Sequence, residues 1–189
     1  HTLEPLSVQG LPLKSAIKTI ALTHDVAITK VMTAKTIIGL GYGLNINITI
    51  ANQGEYTETF NVTLYANTTS ITSQNATLTS GNSTTVTFTW NTSGFVKGSY
   101  TISAYTWPVP GETNTEDNTL SDGTVYVGIP GDINADAVVD IFDLVTVANS
   151  FGSGPGDPKW NPNADVNGDG IIDIFDLVIV ANHYGEEEP

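Results

Sequence analysis

The chain has 189 residues, no cysteine, and twenty acidic residues against six basic ones, for a formal charge of −14. That length allows two small domains and is short for a large enzyme, and the lack of Cys excludes disulfides and thiolate metal sites. There is no basic face to displace counterions, so nucleic acid is not an expected partner.

Residues 1–19 show no clean period, because Pro5, Gly10 and Pro12 interrupt Leu11, Leu13 and Ile17. This N-terminal extension is expected to lead into the first strand or to add to the sheet edge of a neighbouring subunit. From Thr19 the chain alternates: Ile20, Leu22, Val26 and Ile28 share one parity and Thr19, Thr23, Asp25 and Thr29 the other, which predicts a strand. The chain has no transmembrane run and no apolar leader, and is read as a mature secreted chain whose signal peptide has been removed.

From Gly41 to Gly128 the pattern is all-β. Leu44, Ile46, Ile48 and Ile50 alternate with Asn45, Asn47 and Thr49, and Phe60, Val62 and Leu64 alternate with Asn61, Thr63 and Tyr65. Val86, Phe88 and Trp90 alternate with Thr85, Thr87 and Thr89; Tyr100, Ile102, Ala104, Val125 and Val127 follow. Turn clusters at Asn52-Gln-Gly54, Ser80-Gly-Asn82, Asn91-Thr-Ser-Gly94 and Asp122-Gly123 separate these runs. About seven such strands predict an antiparallel sandwich over residues 20–128.

The segments Asp25-Val-Ala-Ile, Ile48-Thr-Ile-Ala-Asn52-Gln-Gly54, Leu78-Thr-Ser-Gly81 with Thr85 to Trp90, Gly98-Ser-Tyr, and Pro110-Gly-Glu112 to Asn118 together resemble the CARDB branch of immunoglobulin-like sandwiches. The resemblance implies a spacer or adhesion module of archaeal or bacterial surface proteins, and the fold alone decides no function. Six Asn-X-Ser/Thr sequons, at Asn47, Asn61, Asn67, Asn75, Asn82 and Asn91, all fall in this region, as expected of an N-glycosylated extracellular surface. Thr-dense outer faces are also simply good strand formers.

Residues 129–189 carry most of the charge, twelve acidic residues against one Lys. Here Asp132, Asn134, Asp136, Asp140 and Asp143 stand at loop positions 1, 3, 5, 9 and 12, and the pattern returns as Asp165, Asn167, Asp169, Asp173 and Asp176. This is the spacing of a calcium loop of the EF-hand kind, with the carbonyl of Val138 or Ile171 at position 7 completing the shell. Asp, Asn and Gly also dominate ordinary turns; the gapless duplication argues for two Ca²⁺ sites. Gly170 supplies the turn at position 6 of the second loop, where Ala137 in the first would add about 1 kcal/mol of strain in a left-handed backbone. Each loop leads into a helix, Ile141 to Phe151 and Ile174 to Tyr184, closed by Gly152 and Gly185.

These repeats, with the linker Asp157 to Asp165, resemble a type I dockerin domain. The resemblance implies a calcium-loaded plug for a cohesin-type β-sandwich, with the residues after position 9 helping to choose the partner. Those are Ile141-Phe142 and Ile174-Phe175, in place of the frequent Ser-Thr pair, so an apolar docking face is expected. Leu144, Val145, Ala148 and Phe151, with Leu177, Val178, Ala181 and Tyr184, are expected to pack the helices together, leaving Phe142, Phe175, Val147 and Val180 for docking. The tail from Glu186 is expected to be a solvated end.

His1, His24 and His183 lie in three separate contexts, and nothing in the sequence forms a catalytic constellation with them. Glu112, Glu116 and Asp117 share one loop, an acidic feature of the sandwich family. The expected protein is therefore a mainly β, non-enzymatic, calcium-binding extracellular protein: an immunoglobulin-like sandwich followed by a small α-helical module. Its partner is expected to be an identical subunit, giving a surface filament, tube or layer by head-to-tail contact. The alternatives are an adaptor for a separate cohesin-like scaffold, or a carbohydrate-binding module using Tyr105, Trp107 or Trp160.

Overall fold

The computed structural model describes residues 22–188, so the extension expected over 1–19 lies outside them. The strands are β1 (Val26–Thr33), β2 (Ile37–Gly39), β3 (Gly43–Asn52), β4 (Glu58–Ala66), β5 (Thr69–Leu78), β6 (Ser83–Asn91), β7 (Gly98–Thr106) and β8 (Thr119–Gly128). Two helices follow, α1 (Ile141–Ser150) and α2 (Ile174–Asn182), with a single 3-10 turn at Pro162–Ala164 between them.

The strands form two sheets, a three-stranded one ordered β1-β3-β6 and a five-stranded one ordered β2-β8-β7-β4-β5. All pairings are antiparallel except β2 with β8. The expected alternation is what packs the sheets: Leu44, Ile46, Ile48 and Ile50 of β3 are fully buried against Val62, Leu64, Ile102, Val125 and Val127 of the other sheet. At one end Trp90 meets Phe95 and Tyr100 edge-on, with ring centroids 5.1 and 5.4 Å away.

Three expectations about the sandwich change. Strand character among the described residues begins at Val26, and Leu22, expected inside, is exposed. The backbone of residues 23–25 is engaged instead by the turn after β3, where Glu55 N donates to Thr23 O and Gln53 N to Asp25 O. A bulge between Ile28 and Lys30 then resets the register. Finally, β5 escapes the alternation rule because this Thr- and Ser-rich edge strand is exposed along most of its length.

The C-terminal region has its own core of Ile129, Ile133, Val139, Val147, Ala164, Val166, Ile172 and Val180, with Leu144, Leu177, Ile179 and Trp160 packed on it. The helix faces thus differ from expectation. Val147 and Val180, assigned to docking, are fully buried, while Val145, Val178, Ala148, Ala181, Phe151 and Tyr184 are exposed. The cause is the start of each helix. Asp143 and Asp176 are turned inward, which rotates the residues four positions later into the core.

A pseudo-two-fold clasp joins the repeats. Ile172 pairs through its N and O with Ser153 O and Gly152 N beyond α1, and Val139 pairs with Glu186 O and Gly185 N beyond α2. The tail is therefore not a solvated end. Val138 bridges Glu187, Glu188 N donates to Ala137 O, and the Glu188 carboxylate accepts from the Tyr126 hydroxyl at 2.6 Å and lies 3.7 Å from Lys97 Nζ.

Within the sandwich the turn after β3 hangs on one side chain. Asn52, almost fully buried, donates to Tyr56 O and Leu78 O and accepts from Gly54 N. Replacing Asn52 by Ala leaves these groups unpaired and is expected to cost about 2–3 kcal/mol, read as a lower denaturant midpoint at unchanged m value.

Candidate metal centre

The two loops repeat one hydrogen-bond design. In the first, the Asp132 carboxylate accepts from Ala137 N, Asn134 Oδ1 from Asp136 N, and Asp136 Oδ1 from Val138 N, at 2.9–3.1 Å. In the second, Asp165 accepts from Gly168, Asp169 and Gly170 N, Asn167 Oδ1 from Asp169 N, and Asp169 Oδ1 from Ile171 N, also at 2.9–3.1 Å. Each short side chain folds back on its own backbone, the hydrogen bonding of successive Asx turns.

Position 9 has a second task. Asp140 and Asp173 cap α1 and α2 by accepting from Phe142 N and Phe175 N at 2.7 and 2.8 Å. Position 12 closes the ring. Asp143, fully buried, accepts from Ile133 N and Asp140 N, and Asp176, also fully buried, accepts from Asn167 N and Asp173 N. The Asp at position 12 lies inside the capping box that starts each helix.

The fit to a hard cation rests on Asp132. Its side chain is 3 % exposed and its Oδ1 finds no hydrogen-bond partner among the described residues. Burial pushes the Asp132 carboxyl above the ordinary range, with Asp143 and Asp136 adding to the effect. Burial raises Asp165 as well, opposed by the Lys35 ammonium and by the Gly170 and Gly168 amides. A bound cation would neutralise this crowding. By themselves, no three His, Asp or Glu side chains among the described residues form a ready metal cage. A calcium loop of this kind also draws on Asn and main-chain oxygens.

Ala137 has φ 73°, so the strain expected at position 6 is present, and Ala135 at position 4 is left-handed too, with φ 59°. The second loop has Gly168 and Gly170 there. The clue to Ala135 was in the sequence, since Gly168 occupies the matching place.

The residues expected to dock are exposed: Ile141 by 52 %, Phe142 by 65 %, Ile174 by 55 % and Phe175 by 63 %. Elsewhere, His24 stacks on Tyr56 and contacts Glu58, and Glu112 accepts from Val26 N and Val109 N, so the acidic loop is used to hold the sandwich together. Trp160 belongs to the second core, while Trp107 is exposed beside Tyr105. Of the sequons, Asn67, Asn75, Asn82 and Asn91 are exposed; Asn47 and Asn61 are half-buried and hydrogen-bonded to Thr87 and Asn75.

Residues 25–122 match the CARDB family model, and residues 130–183 match the dockerin type I domain. The sandwich is similar to a CARDB domain from Pyrococcus furiosus solved in complex with di-metal ions, at 20% identity over 57% of this chain and 96% of that one, TM-score 0.48. It is also similar to a cell surface protein domain from Methanosarcina acetivorans, at 28% identity over 56% of this chain and 92% of that one, TM-score 0.45. A β-glucosidase from Erythrobacter marinus matches over 55% of this chain but 15% of its own, at 15% identity and TM-score 0.43. No curated protein sequence matches the chain. Type I dockerin domains bind calcium, and neither matched module is catalytic.

Ala137→Gly, which relieves a left-handed Ala, is expected to raise the stability of the C-terminal module by about 1 kcal/mol in thermal or denaturant unfolding. The raised carboxyls also fix a sign. Asp132 and Asp165 hold a proton more tightly folded than unfolded, so in chelator each destabilises the fold at neutral pH, and this penalty is relieved as pH falls through the raised pKa. The apo module's melting temperature is therefore expected to rise as pH falls from neutral toward the raised pKa values, and the calcium-loaded module's to fall as protons displace the ion. Parallel curves with and without calcium would contradict this.

Proposed function

We propose that this chain, a member of the CARDB family with a type I dockerin domain behind its sandwich, is an extracellular calcium-dependent joining protein without catalytic activity. In this reading residues 20–128 are the structural unit, residues 129–189 are the plug, and Asp132, Asn134, Asp136, Val138, Asp140 and Asp143, with Asp165, Asn167, Asp169, Ile171, Asp173 and Asp176, hold two Ca²⁺. The extension over 1–19 belongs to the joining apparatus, and the exposed sequons carry glycans on the sandwich surface. Among the described residues no helix is long and apolar enough to cross a membrane.

The observation that carries the reading is the pair of exposed apolar patches, Ile141-Phe142-Val145 and Ile174-Phe175-Val178, at the starts of the two helices that the loops organise. A chain left alone gains nothing from exposing two Phe side chains, whereas a plug gains its docking free energy from burying them. The chain carries both a plug and a β-sandwich of the general class such plugs engage. The favoured partner is thus another copy, bound head to tail in a heterologous contact that propagates into a filament, tube or layer. A separate cohesin-like scaffold is the second reading, supported by the dockerin match.

Sedimentation and negative-stain microscopy of the full chain, in calcium and in chelator, test the choice. Ordered polymer is expected with calcium only, and Phe142→Ala with Phe175→Ala should abolish it while leaving both modules folded. Monomer in both conditions would exclude self-assembly and leave the adaptor.

A further inference from the structure

The two loops are near copies in sequence but do not sit in equal electrostatic surroundings, and the sandwich is the cause. Lys35, in the turn between β1 and β2, is 6 % exposed, and its Nζ donates to the main-chain carbonyl of Asp165 at 2.5 Å. Asn163, just ahead of the loop, accepts from Thr36 N and Ile37 N at 3.1 and 3.2 Å, which holds the same turn in place. Gly168 lies against Gly43 of the sandwich. Burial pushes the Lys35 ammonium below its ordinary range, and the carboxylates of Asp165 and Asp176, positions 1 and 12 of the second loop, oppose that shift. The charges that act on Asp132 in the first loop are both acidic, Asp143 and Asp136.

We infer that Lys35 is a resident counter-ion of the second calcium loop, by which the sandwich lowers that loop's affinity for calcium and links its filling to the junction between the modules. The inference rests on the reading of both loops as calcium sites. An ammonium seated at Asp165 already offsets part of the negative charge that a divalent cation would use, and it repels the cation that enters. By linkage, anything that withdraws Lys35, such as movement of the β1–β2 turn, strengthens calcium binding, and calcium loosens this one contact by the same factor. The first loop is tied to the sandwich through Glu188, which meets Tyr126 and Lys97 away from the loop carboxylates, and so escapes this control.

The test uses the full ¹⁵N-labelled chain. The amide of Gly170 reports the second loop and that of Ala137 the first, each followed through a calcium titration in the wild type, Lys35→Met and Lys35→Gln. Met removes the charge; Gln removes it but keeps a donor for the Asp165 carbonyl, covering the case in which Met does not fold. The Gly170 midpoint is expected to move to about ten-fold lower calcium or further, with the Ala137 midpoint constant within about two-fold. A Gly170 midpoint that stays in place or moves to higher calcium in the folded variants would overturn the inference, since Lys35 would then be a scaffold for the loop backbone. If neither amide responds to calcium in the wild type, the underlying reading of the loops fails instead.

Discussion

Two buried carboxylates govern the C-terminal module. Asp143 and Asp176 are fully buried, and each accepts two main-chain N–H groups, one from the start of its loop and one from the residue that caps its helix. Loop closure, helix initiation and helix rotation are thereby tied to a single side chain per repeat. Burying a carboxylate is costly unless it is compensated. Amide donors and the positive end of the helix offset part of that cost, and a cation shared with the other loop oxygens offsets more. The same inward turn places Val147 and Val180 in the core and leaves Phe142 and Phe175 outside. The closed loop and the exposed apolar face are thus two results of one helix orientation.

The second consequence is mechanical. Each loop's position 8 pairs with the chain beyond the other repeat's helix, so neither loop can open without disturbing its partner. Each is also attached to the sandwich, the first by the tail that reaches Tyr126 and Lys97, the second by Lys35 and Asn163. Pro130 packs so closely on Gly39 that a Cβ there would lie 2.6 Å from its Cα. A C-terminal module fastened this way is held in one orientation on its sandwich.

Much of this was legible in the sequence because short polar side chains at fixed spacing and strict two-residue alternation both report backbone geometry directly. The two Asp-rich loops, the helices after them and the strands β3, β4, β6 and β7 follow from those two signals. What was not legible depends on tertiary choice. β5 buries only Leu78, with Ile71 and Ala76 partly covered, so little pattern shows, residues 23–25 are captured by a distant turn, and the tail Glu186 to Glu188 looks like a charged end until Val138 and Val139 are seen to need a strand partner. The buried helix stripe lies one position before the one the apolar spacing predicts, because Asp143 and Asp176 turn into the core with the helices. Lys35 carried no local signal, since its significance lies 130 residues away.

The central claim is that both clasped loops are calcium sites. Isothermal titration of the chelator-stripped full chain with CaCl₂, with Trp160 fluorescence recorded in parallel, addresses it most directly. Two equivalents of calcium per chain, with the fluorescence change completed only as the second binds, is the result this account requires. One equivalent, or none, would mean that at least one of the loops is only a polar turn.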